Sequence, residues 1–277
     1  MFLSFYLCTK LYYDRNPQGL RKRIIRLGSP LLFWNIIYYF VYAIIDNAQL
    51  DWRQLVYVFL FGHAAELDQP LWFLATQLII TVIIFVIYYV VDNDSLAEKI
   101  LAAIAVFCIV LQYSGMNLYL FGNSIGEIRY TFGFLPEVMP VAIAGLFIGK
   151  SKKTYYTIIV MVCVCVITYW LPEAQGFGYQ GIYLACLSIT ICLVMIKLGE
   201  KIHLWCLNQI INQLSRYTMG VYCIHWLILK YLTIFYELKE LSISRTIVFQ
   251  IYAISLLIAI GIGIVGKKVK WLVNMIS

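Results

Sequence analysis

Residues 69–78 read QPLWFLATQL and pass without interruption into LIITVIIFVIYYVV, which ends at Val91. A helix needs about 20 mainly apolar residues to cross the hydrocarbon core of a bilayer, and 70–91 meets that length. Pro70 suits the first turn of such a helix, where no amide donor is required. Trp72 then falls at the membrane–water boundary, where an indole ring is favoured. Thr76 and Gln77 lie one turn deeper. Gln77 is costly in hydrocarbon unless it bonds a neighbouring helix or faces a wet cavity, and the stretch alone leaves both open.

The whole chain follows the same pattern. It has 277 residues, of which 62% are hydrophobic and 13% charged, with mean hydropathy +0.83. A soluble domain carries about twice that charge. No alternating barrel-strand pattern is present, so helices must satisfy the backbone in lipid. The fold class expected is an all-α polytopic bundle. Its spans lie near 30–47, 70–91, 99–114, 131–149, 154–171, 180–198, 218–236 and 246–266, and one membrane domain covers 1–277. The opening MFLSFYLCTK is too short to span and has no small-residue cleavage site, so no cleavable signal peptide is expected.

Basic residues collect in cytoplasmic loops. Lys10, Arg15, Arg21, Lys22, Arg23 and Arg26 fall in the loop expected over 10–29. Lys150, Lys152 and Lys153 follow one span. Lys197, Lys201 and Arg216 follow another, and Lys267, Lys268 and Lys270 close the chain. This distribution predicts eight crossings with both visible termini cytoplasmic, provided 54–69 returns outside as an interfacial or re-entrant segment. The net charge of +7 is then mostly topology, and no nucleic-acid partner is expected. The partners expected are the bilayer and the substrates named below. The eight cysteines include no CxxC pair, so neither a disulfide framework nor a metal site is expected.

Four stretches resemble one family in its order. They are PLWFL at 70–74; LRKRIIRLGSPLLFW at 20–34; Arg129 with Leu135-Pro136-Glu137 and the later GLFIGK at 145–150; and SRYTMGVYCIHW at 215–226. Together they resemble the membrane acyltransferase-3 family, polytopic enzymes that O-acylate glycans, lipids and other exported molecules. The resemblance implies transfer of an acyl group, by default acetyl, from cytoplasmic acyl-CoA as co-substrate to a hydroxyl of an envelope glycan, in a bacterial inner membrane. No bound cofactor is implied. One departure stands out. The family's Arg-x10-His pair, whose histidine is the expected catalytic residue, has no counterpart here. Met1–Leu7 resembles the end of the family's second span, so the chain is expected to be N-terminally incomplete relative to the family.

His225 and Glu137 are therefore the candidate catalytic residues. An ionisable group inside a span is a functional candidate by default, although a neutral histidine bonded to another helix and an interfacial ion pair are the simpler alternatives. His225 is expected two turns from the cytoplasmic end of its span. Trp72, Gln77, Arg129 and Tyr222 are candidate substrate-binding residues, Tyr222 because it lies three residues before His225 on the same helical face. The resemblance gives Arg21, Arg23 and Arg26 a donor-phosphate role, with topological anchoring as the alternative. Lys230 is expected to snorkel, and His63 and His203 receive no role. Two other readings compete: a glycan transporter or flippase, and a catalytically inactive homologue.

Overall fold

The computed structural model describes residues 1–45, 52–53, 56, 71–113, 135–151, 154–169, 182–201, 217–238 and 246–266. Among these the regular elements are all helical: α1 Phe2–Leu7, α2 Thr9–Tyr13, α3 Pro17–Ile45, α4 Trp72–Val90, α5 Asp94–Tyr113, α6 Leu135–Ser151, α7 Thr154–Tyr169, α8 Ile182–Lys201, α9 Thr218–Leu238 and α10 Thr246–Gly266. Each of α3 to α10 overlaps one of the eight expected apolar runs, as a helix. Two helices, Pro17–Val41 and Trp72–Val90, are long and apolar enough to cross a membrane, and Tyr155–Ile167 and Phe249–Ile262 are shorter apolar segments. The expected segment 54–69 lies, apart from Val56, outside the described residues, as do Pro70, Arg129, His63 and His203.

The basic stretch expected as a loop over 10–29 is helical. α2 ends in a turn in which Arg15 N–H bonds Tyr12 O and Asn16 N–H bonds Leu11 O, with Arg15 at φ 47°. This pairing is the Schellman pattern, with arginine where glycine is usual. Asn16 then caps α3: its Oδ1 accepts from Gly19 N–H at 3.0 Å, and Pro17 takes the first helical position. A good cap and the helix formers Leu20, Arg21, Lys22 and Arg23 start the helix well before the apolar stretch begins.

The chain divides into two compact units. In the unit of 1–20 and 79–204, α6 is the hub against which α1, α2, α5 and α7 pack, and α7 pairs with α8. Glycine makes the α1–α6 contact possible. A methyl group at Gly145 would collide with the Phe2 carbonyl, and one at Gly149 would sit 2.6 Å from Tyr6 O. Small residues four apart allow two backbones this approach. Phe2, Ile148, Ile189 and Leu193 bury the seam behind it.

In the unit of 21–78 and 205–277, α3 presents Leu27, Leu31, Trp34 and Tyr38 as one buried stripe. The spacing of three and four is that of one helix face. This stripe packs with Leu71, Leu74 and Ala75 at the start of α4, with Cys223, Ile224 and Ile228 of α9, and with Ile251 and Ala259 of α10. In both units large apolar side chains also face outward, among them Ile44 and Phe249, which are 76% and 79% exposed, and Tyr156, Ile159 and Leu257.

Candidate functional site

α9 opens at Thr218, and Val221 N–H bonds Tyr217 O at 2.9 Å. One turn later, His225 Nδ1 lies 2.5 Å from the carbonyl oxygen of Tyr222. A carbonyl can only accept, so in the neutral ring Nδ1 carries the proton and Nε2 holds the lone pair. That tautomer can take a proton through Nε2. The imidazole is half-buried.

Aromatic rings surround it in sequence. The Tyr222 ring is 5.6 Å from the imidazole, Phe73 is 5.6 Å from Tyr222, and Trp72 meets Phe73 edge-on at 6.0 Å. Three of the candidate residues, His225, Tyr222 and Trp72, are thus brought into one ring-to-ring series, with Phe73 as the link that the sequence reading passed over. Behind the series, Tyr38 of α3 is buried and donates from its hydroxyl to Cys223 O at 2.7 Å.

These contacts do not fit the expected levels of Trp72 and His225 taken together. The charge pattern places His225 near the cytoplasmic end of α9 and places Trp72 at the outer boundary. The packing instead puts the first turns of α4 and α9 side by side. The basic residues used for orientation, Lys197 and Lys201, belong to α8. Most of the chain between Lys201 and Thr218 lies outside the described residues, so their side does not fix the level of α9.

The remaining candidates separate. Gln77 and Thr76 are buried, and each has an interaction within the protein. Arg21 and Arg26 are exposed and Arg23 is half-buried on the first turns of α3. Arg26 and Tyr38 are separated by about 18 Å along the helix axis. Glu137 belongs to the other unit, half-buried in the first turn of α6, where the helix dipole favours a negative group. Arg129, its nearest basic residue in sequence, is outside the described residues. No metal-binding group of His, Cys, Asp or Glu is found among the described residues.

The unit containing Glu137 also holds a polar cluster that sequence reading missed. Arg15 Nε donates to Tyr88 O at 2.7 Å. Its Nη2 donates to Val91 O at 3.2 Å, to Asp92 O at 2.7 Å and to Asp94 Oδ1 at 2.7 Å. The guanidinium therefore caps the carbonyl end of α4, where a cation is favoured. Nearby, Glu98 accepts from Tyr13 OH at 3.0 Å and from Lys150 Nζ, and Lys150 lies over the Tyr13 ring. Burial pushes the Tyr13 phenol well above its usual range, so it remains a donor. In sequence Arg15 and Lys150 are indistinguishable from the other loop cations. Only their pairing with carboxylates far along the chain sets them apart.

No curated protein and no solved structure matches the chain. A family model described as an acyltransferase domain matches residues 1–265, which takes in both units and all four sequence motifs. On that match, the chain belongs to the acyltransferase-3 family.

Proposed function

We propose that this chain is an integral membrane O-acyltransferase that moves an acyl group, acetyl by default, from acyl-CoA to a hydroxyl of an envelope glycan, with His225 as the general base. The observation that carries this reading is the Nδ1–Tyr222 O contact, which leaves Nε2 as the basic nitrogen. In the step proposed, Nε2 takes the proton from the acceptor hydroxyl. The freed oxygen attacks the thioester carbonyl, the carbon–sulfur bond breaks, and the departing thiolate takes the proton back from the imidazolium. General base catalysis of this kind contributes about 10²–10⁴-fold.

Tyr222, Trp72, Gln77 and Arg129 are proposed for the acceptor. Glu137 is proposed to hold an acceptor hydroxyl. Arg21, Arg23 and Arg26 are proposed for the donor's phosphates, since guanidinium groups suit phosphate oxygens. Their distance along α3 from the level of Tyr38 suits a donor that is long between its phosphates and its thioester. Membrane residence is supported by the outward apolar faces of both units, since exposed apolar area on this scale marks an interaction surface. Crossings of a bacterial inner membrane by α3 to α6, with the visible N-terminus cytoplasmic and 54–69 outside, complete the proposal.

Acceptor-dependent release of CoA thiol tests it. Membranes containing the chain, given labelled acetyl-CoA and host envelope glycans, are expected to label the glycan and release thiol in step. Label and thiol at the level of empty membranes would remove the enzymatic reading. Activity confined to a version extended by the upstream reading frame would assign the base to a residue outside this chain.

A further inference from the structure

The hydroxyl of Tyr38 is placed within the backbone ladder of α9 rather than at its surface. In an α-helix the Cys223 carbonyl accepts from the amide of Leu227. Here it also accepts from Tyr38 OH at 2.7 Å. That rung encloses His225. The carbonyl one residue earlier, Tyr222 O, is the one that holds His225 Nδ1. Two consecutive peptide groups are thus tied, one to the imidazole and the next to a helix 185 residues away in sequence. The phenol is 5% exposed and locked in the stripe with Leu31 and Trp34, so it cannot swing clear of the turn.

We propose that Tyr38 is a positioning residue: by pinning the Cys223 carbonyl, it fixes the turn of α9 from which His225 projects and so fixes where Nε2 points. This rests on the reading of His225 as the base. A misplacement of about 1 Å at a reacting group costs on the order of 100-fold in rate, so a group that holds only the backbone beneath the base affects turnover and leaves substrate binding unchanged.

Tyr38→Phe keeps the ring and removes the bond. Trp34→Phe disturbs the same stripe without touching the Cys223 carbonyl, and Cys223→Ala empties the neighbouring side-chain space while leaving the carbonyl in place. The chain has three histidines, so a His63→Gln/His203→Gln background leaves His225 as the only histidine to react with diethyl pyrocarbonate, read from N-carbethoxyimidazole formation. This gives a readout of the imidazole that needs no activity. Tyr38→Phe is expected to lower kcat about 10- to 100-fold with KM within about twofold, and to change the modification rate of His225 several-fold. Trp34→Phe and Cys223→Ala should do neither. A wild-type kcat and modification rate in Tyr38→Phe would overturn the proposal, as would an equal loss in Trp34→Phe, which would reduce the effect to packing. If His225→Ala instead retains full transfer, the catalytic reading fails. The modification rate then still decides whether Tyr38 holds the ring.

Discussion

Arg15 holds a backbone conformation that a β-carbon disfavours by about 1–2 kcal/mol, yet its side chain meets three carbonyls and a carboxylate at the end of α4. The contacts offset the strain, because carbonyls at a helix end otherwise lack partners. Two substitutions separate the terms. Arg15→Gly loses the contacts and relieves the backbone, whereas Arg15→Ala loses the contacts and keeps the strain. Thermal unfolding in detergent should rank wild type above Arg15→Gly, and Arg15→Gly above Arg15→Ala by about 1 kcal/mol. Equal stability of wild type and Arg15→Gly would mean the guanidinium contributes nothing. At this scale the sequence was only partly legible. His225 and Tyr222 stood out because a histidine inside an apolar run is rare and three residues share a face. Tyr38, Phe73 and Arg15 did not, since each is an ordinary aromatic or basic residue until its distant partner is known.

Helices were more legible than their ends. The eight apolar runs announced α3 to α10 because burial or lipid exposure demands continuous apolar length. The start of α3 was missed because charge was read as loop, while the local signal, Asn16 before Pro17, was a cap. The GLFIGK motif at 145–150 gained its physical meaning only from packing: Gly145 and Gly149 admit the backbone of α1. Gly145→Ala should therefore destabilise the α1–α6 seam by about 1–3 kcal/mol, the range for overpacking. The colliding atom is backbone and cannot rotate away. Limited proteolysis near the N-terminus should quicken in the variant. An unchanged cleavage rate and unfolding temperature would show that α1 does not dock there in solution.

Across the whole molecule, family membership was legible from four short motifs in order, and the depth of the site was not. Charge asymmetry reports which side a loop occupies. It does not report how far a helix start has travelled from the last basic residue, which is why the side-by-side first turns of α4 and α9 were unforeseen. Reporter fusions at Asn47 and Lys152 should give opposite-side signals, and same-side signals would overturn the proposed crossings. The central claim is that this family member transfers acyl groups through His225. The most direct measurement compares labelled acetyl transfer to envelope glycan by wild type and His225→Ala, at equal amounts of inserted protein. The account predicts a loss of about 100-fold or more in the variant. Transfer at the wild-type rate by His225→Ala would contradict it.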